Sequence, residues 1–128
     1  MNRLIIDAAK EKLFLMIITN DDIYNITKDN TKINYEKLTL IINNFLISNN
    51  LEIRDISTIY VNRGPGSFAG IRNSLSVVKA FNVSKKIDYF CYSFEDFKDQ
   101  IDVKYENLPY LCDKFKIKKN LIKPIYLS

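Results

Sequence analysis

All three glycines of this 128-residue chain fall within seven residues, at Gly64, Gly66 and Gly70. They separate an apolar run at 56–61 from an apolar stretch of helical periodicity at 68–83. A chain that leaves a buried strand and turns at once into a helix needs backbone free of the Cβ restriction. Gly64 and Gly66 supply it, and Pro65 fixes one dihedral between them. Ser67 stands where a helix N-cap is wanted, and a further run at 89–92 completes a β-helix-β unit, expected as a right-handed crossover between parallel strands. The same elbow offers N–H groups and a positive helix end, flanked by Arg63 and Arg72, so it could also hold an anion. It has neither the G-K-[ST] of a Walker loop nor the G-x-G-x-x-G of a dinucleotide fingerprint. Structural elbow and anion site both stay open, the elbow favoured because helix N-termini attract anions whether or not function uses them.

Ahead of the elbow, Ile-rich runs at 4–9, 12–19 and 23–27 read as a three-stranded antiparallel meander. Residues 30–34 break the pattern, and 35–47 turn helical. At 100° per residue Tyr35, Leu38, Ile41, Ile42, Phe45 and Leu46 form one apolar arc, while Leu40 and Ile47 form a second, narrower stripe on the opposite side. A helix buried on one face has no need of that stripe, which is therefore a candidate partner contact. On the helix after the elbow, Phe68, Ile71, Leu75 and Val78 share a face, with Gly70 and Ser74 as small residues that let another backbone come close. Ser93 can cap a short helix through Gln100, residues 94–120 read as a short irregular segment, and 122–127 as a final strand. The expectation is one α/β domain over residues 1–128, a mixed sheet of antiparallel meander and parallel strands with packed helices.

Composition narrows the chemistry. Hydrophobic content of 47% with 27% charged residues excludes a disordered chain. Histidine is absent, which removes the commonest general base and nitrogen metal ligand. Cys91 and Cys112 make no zinc site. A disulfide between them stays open, with two buried reduced thiols the favoured reading. No apolar run is long enough to span a bilayer, and a cytoplasmic protein is expected. The net charge of +4 and pI near 9.0 come with 15 lysines, 19 isoleucines and 14 asparagines, a bias typical of AT-rich coding. The lysines Lys114, Lys116, Lys118, Lys119 and Lys123, near Tyr110, Phe115 and Tyr126, could track a phosphate backbone or form a solvated face.

The ten positions 63–72, Arg-Gly-Pro-Gly-Ser-Phe-x-Gly-x-Arg, closely resemble the signature of the TsaB (YeaZ) family, subunits of the bacterial machinery that makes N6-threonylcarbamoyladenosine in tRNAs reading ANN codons. Leu4-Ile5-Ile6-Asp7 looks like the family's first strand, Tyr35-Glu36-Lys37-Leu38 like its first helix, and Pro124-Ile125-Tyr126-Leu127 like its C-terminal strand. The resemblance covers residues 1–93 and the last five. It implies an actin-like, ribonuclease-H-like fold in a subunit that is not itself the catalyst. Such a subunit pairs with a TsaD-type catalytic paralogue, is joined by a TsaE-type ATPase, and meets tRNA through the complex. Leu40, Ile47, Ile71, Leu75 and Val78 are the implied interface, and the same surfaces would serve a homodimer where the paralogue is missing.

The departures are also informative. Asp7-Ala8-Ala9 stands where the family has Asp-Thr-Ser or Asp-Thr-Ala, and Lys10-Glu11-Lys12 lacks the glycine and threonine of an actin-type phosphate hairpin. Asp7 is thus a degenerate phosphate-hairpin position. Ala69 replaces a usual threonine, and Asn34-Tyr35-Glu36 stands for His-Ser-Glu. Only 30 residues lie between Ser93 and Pro124, so the second actin-type domain is largely missing. No cofactor is expected, ATP with magnesium fitting only at a subunit interface. The alternatives are a degenerate ATPase or kinase-like enzyme anchored on Asp7, a peptidase-labelled relative in which Ser67 would lack a base, and a basic RNA-binding module.

Overall fold

The computed structural model describes residues 1–98 and 100–126. Strands β1 (Asn2–Asp7), β2 (Lys12–Ile18) and β3 (Ile23–Asp29) are followed by helices α1 (Lys32–Glu36) and α2 (Leu38–Ser48). Strand β4 (Ile56–Asn62), helix α3 (Phe68–Lys85), strand β5 (Asp88–Tyr92) and helix α4 (Leu108–Lys114) complete the order. The five strands form one mixed sheet in the order β3-β2-β1-β4-β5. β1 runs antiparallel to β2, with Ile5 opposite Met16, and parallel to β4, with Ile5 opposite Tyr60. β4 and β5 are parallel, with Tyr60 opposite Phe90. The expected meander and β-helix-β unit are both present.

Period-two alternation divides the sheet into two unlike faces. Leu4, Ile6, Leu15, Ile17, Ile59 and Val61 join Ile42, Phe45 and Leu46 of α2 and Ile71, Leu75 and Val78 of α3 in the larger core. Ile5, Met16, Tyr60 and Tyr92 point the other way, onto Phe97, Leu108, Leu111 and Cys112. The tail is therefore not an irregular remnant. Its 3-10 turns at Phe94–Asp96 and Tyr105–Asn107, with α4, form the cover of the second face. Ser93 caps the first of these turns, which ends at Asp96 rather than continuing to Gln100.

The helix expected at 35–47 is two helices. Thr31 caps α1, accepting from the Asn34 N–H, and Lys37 leaves helical geometry before α2 begins. The strand expected at 122–127 is not formed: Tyr126 makes an isolated parallel bridge to Gly66, residues 121–125 carry no strand, and Leu127 lies outside the described residues. The outer edge of β5 is already occupied, because the Asn120 N–H donates to the Tyr89 carbonyl (2.8 Å) and the Tyr89 N–H to Asn120 Oδ1 (2.9 Å). The chain end instead crosses the elbow, where the Ile125 N–H donates to the Arg63 carbonyl at 2.7 Å.

Candidate functional site

At the elbow, Gly64 has φ of +110°, a backbone that side-chain-bearing residues rarely adopt. A Cβ there would lie 2.0 Å from the Ile125 carbonyl oxygen; at Gly66 it would lie 2.1 Å from that of Ala9, and at Gly70 1.9 Å from that of Ala8. The glycines thus let the start of α3 press onto the turn after β1 and let the chain end press onto β4. The N–H groups an anion would use are largely taken within the chain. Gly64 N–H donates to Asn62 Oδ1 (2.8 Å), Ser67 N–H to the Ala9 carbonyl (2.9 Å) and Gly70 N–H to Ser67 Oγ (3.2 Å).

Arg63 donates to Asp96 at 2.6 Å, both side chains mostly buried, and to the Lys123 carbonyl at 3.2 Å. It clamps the end of β4 to the tail. Arg72 is exposed on α3 and lines a separate shallow groove with Lys79 and Tyr126, so the two arginines do not share one anion site. The elbow reading is the one this geometry supports. Ser67 caps α3 and shares a 3.1 Å hydrogen bond with the Tyr35 hydroxyl, leaving it no base to act as a nucleophile.

Asp7 is fully buried. Its Oδ1 accepts from the Ala9 N–H (3.0 Å), and its Oδ2 from Asn62 Nδ2 (3.1 Å) and the Tyr105 hydroxyl (2.6 Å). Tyr105 stacks on Phe14 with centroids 4.2 Å apart, and Lys10 sits 4.5 Å over the Phe94 ring. Burial, with the Asp7 charge beside it, pushes the Tyr105 hydroxyl well above the ordinary tyrosine range, so it remains a donor. A carboxylate with three donors and no exposure has no free face for a cation. Among the described residues no group of three or more His, Cys, Asp or Glu could hold a metal ion. Tyr105 gave no signal in the sequence, because it lies 98 residues from its partner.

The implied partner face divides in two. Leu40 and Ile47 are 54% and 64% exposed on the outer side of α2. Ile71, Leu75 and Val78, by contrast, are buried in the chain's own core against β1 and β4. That corrects their assignment to an interface: an apolar stripe on the crossover helix of a β-helix-β unit is what the sheet itself requires.

The family model described as "TsaD: tRNA N6-adenosine threonylcarbamoyltransferase" matches residues 31–93. The tRNA threonylcarbamoyladenosine biosynthesis protein TsaB of Buchnera aphidicola subsp. Schizaphis graminum is 25% identical over 87 residues, covering 68% of this chain and 41% of that protein. The solved structure of YeaZ from Pseudomonas aeruginosa superposes with a TM-score of 0.66 at 17% identity, covering 72% of this chain and 43% of that one. A second, described as an uncharacterized protein with similarity to peptidase YEAZ from the same organism, gives the same values. These likenesses make the chain similar to the TsaB/YeaZ family.

It spans 41% of the curated relative it matches, and its sheet and packed helices have the actin-like fold of the YeaZ structures. The tail lysines divide, with Lys116, Lys118 and Lys123 lining one shallow groove beside Arg63. Lys119 pairs with Asp88 at 3.5 Å, and Lys114 lies over the Tyr110 and Phe115 rings. Cys91 and Cys112 are free, buried thiols. Burial raises Cys91 to about 11 and Cys112 to about 12, so neither is a ready nucleophile. No helix among the described residues is long and apolar enough to cross a membrane.

Proposed function

We propose that the chain is a non-catalytic subunit of the assembly that forms threonylcarbamoyladenosine in tRNA, pairing with a TsaD-type catalytic paralogue through the outer side of α2. The relative's name supplies the process. The observation that carries the role is the exposed pair Leu40 and Ile47, one heptad apart on a helix whose inner side already packs through Leu38, Ile42, Phe45 and Leu46. An apolar stripe left over after the core is complete is suited to a second helix. The closed environment of Asp7 favours this reading over an ATPase, since a phosphate-bound metal would have to displace Tyr105 and Asn62. A TsaE-type ATPase would join the pair without a nucleotide site on this chain alone.

The test is complex formation between the chain and the TsaD-type protein of the same organism, followed by size-exclusion chromatography and calorimetry. A one-to-one complex that Leu40→Lys or Ile47→Lys abolishes is expected. A chain that never associates with that protein, or whose complex ignores both variants, would overturn the proposal. Calorimetry of the isolated chain with ATP and magnesium should show no saturable heat.

A further inference from the structure

The two edges of the sheet are treated differently. Along β5, Asn120 bonds to both backbone groups of Tyr89 and Lys119 bridges Phe90, so the chain closes that edge itself. The other edge is β3. It pairs with β2 through all seven of its residues without a bulge or a proline. Among the described residues no backbone hydrogen bond from outside that ladder reaches residues 23–28. Alternate residues of such a strand direct N–H and C=O groups outward, where a further strand can take them.

Beside this edge a groove of about 600 Å³ runs between β3 and α2, lined by Tyr24, Ile26, Ile41, Asn44 and Phe45. Tyr24 and Ile26 are only partly buried. Neither Leu40 nor Ile47 is in the lining, so this is a different surface from the outer stripe of α2. Charge is confined to the ends of the strand: Asp21 and Asp22 precede it, and Lys28 and Asp29 close it. Asp29 is held by Lys12. Among the described residues neither Asp22 nor Lys28 enters an ion pair, and Asp22 accepts only the Tyr24 hydroxyl, at 3.2 Å.

These features are complementary to themselves. A two-fold axis that pairs a strand antiparallel with its own copy stands perpendicular to the sheet, so residues of the same face meet and α2 stays on one side. With the axis at Asn25, Tyr24 lies opposite Ile26 of the second copy, Ile23 opposite Thr27, and Asp22 opposite Lys28, each pair occurring twice. Moving the axis to Tyr24 or Ile26 leaves both charges unmatched. The like charges that meet, Asp21 and Asp29, are relieved by Lys12. An unrelated peptide would have to carry its own cation and anion at this spacing, and the chain already does. We propose that two copies of this chain pair antiparallel through β3 about an axis at Asn25, joining their five-stranded sheets into one, with Tyr24 of each copy packed on Ile26 of the other across the groove.

Sedimentation velocity of the full chain over a concentration series tests this, with a concentration-dependent dimer expected. Lys28→Asp and Asp22→Lys should each weaken the dimer about tenfold, since each turns two attractive pairs into repulsive ones. The double variant carrying both reversals should recover it, which also shows that the single variants fail through charge and not through misfolding. Asn25→Cys should give a disulfide-linked dimer on mild oxidation, because directly opposite residues lie about 4.5–5.5 Å apart, within bridging range. Thr27→Cys should not, its two copies being offset by about 13 Å along the strands. The native thiols are buried and stay out of the reaction. A chain that is monomeric at every concentration, a dimer indifferent to both reversals, or cross-linking at Thr27→Cys instead of Asn25→Cys would overturn the proposal. So would loss of the TsaD-type complex, in place of the dimer, on Lys28→Asp, which would give the edge to that partner. Leu40→Lys should leave the dimer intact, which separates failure here from failure of the pairing model.

Discussion

Beneath α2 and α3 the sheet is aliphatic apart from Tyr89 and is covered by two helices with long apolar stripes; its other face carries Tyr60 and Tyr92 and is covered by short turns and the seven-residue α4. The two covers are held differently. The helices are held by apolar area over many turns. The tail adds specific polar fasteners to its apolar contacts: Tyr105 on Asp7, Arg63 on Asp96, and Asn120 along Tyr89. A short segment with no repeating apolar stripe has many ways to lie on a sheet, and directional bonds to fixed strand residues select one of them.

Truncations in the two covers should break this comparison most visibly. Leu46→Ala, under α2, should lower unfolding free energy by about 2–5 kcal/mol. Leu111→Ala, under α4, should fall at the low end of about 2–5 kcal/mol because a short cover can relax into the space. Urea denaturation of both variants checks this, and a larger loss at Leu111 would reverse the ranking of the faces. Next in size is Tyr105→Phe, which keeps the stacking on Phe14 but leaves Asp7 one donor short. A loss of about 1.5–3 kcal/mol is expected, with faster amide exchange in the tail than in β1. An unchanged stability would remove Tyr105 from the fasteners.

Legibility in the sequence followed the same division. Strands β1 to β5 and helix α3 were readable because their apolar periods extend over whole elements and the glycine cluster fixed the turn between β4 and α3. The break at Lys37 was not, since a single non-helical residue hardly disturbs an apolar arc. The second cover was missed because α4 is too short to show a period and because Asp7 and Tyr105 are joined only by the fold. The stripe on α3 was legible as apolar but not as inward-facing. Periodicity locates a face without saying what covers it, and Ile71, Leu75 and Val78 were needed by the sheet.

The thiols report on both covers at once, since Cys91 lies in the aliphatic core and Cys112 in the aromatic one. Burial raises both from 9.0, to about 11 and about 12. A thiol raised on folding favours the folded state while it stays neutral. This contribution is complete below pH 9.0, and it is lost as pH rises through about 11 for Cys91 and about 12 for Cys112. At pH 8 alkylation should require opening of the fold, and Cys112 should react first if the tail opens locally. Simultaneous reaction of both would mean that the two covers unfold as one unit.

The smallest stability effect should come from the substitutions with the largest effect on pairing. Leu40→Lys and Ile47→Lys exchange exposed side chains on α2 for residues of similar or better helix preference, so stability should move by no more than about 0.5 kcal/mol. Ile71→Lys places a charge in the buried core and should unfold the chain, because the several kcal/mol needed rivals a typical domain stability of about 5–15 kcal/mol. Thermal unfolding and binding to the TsaD-type partner, measured together, separate the two sides. If Leu40→Lys destabilises the isolated chain as Ile71→Lys does, the outer stripe belongs to the core and the partner face must be sought elsewhere. If it leaves the fold intact and abolishes the complex, the second stripe of α2 is the contact, and the division between inner and outer apolar residues holds for function as well as for packing.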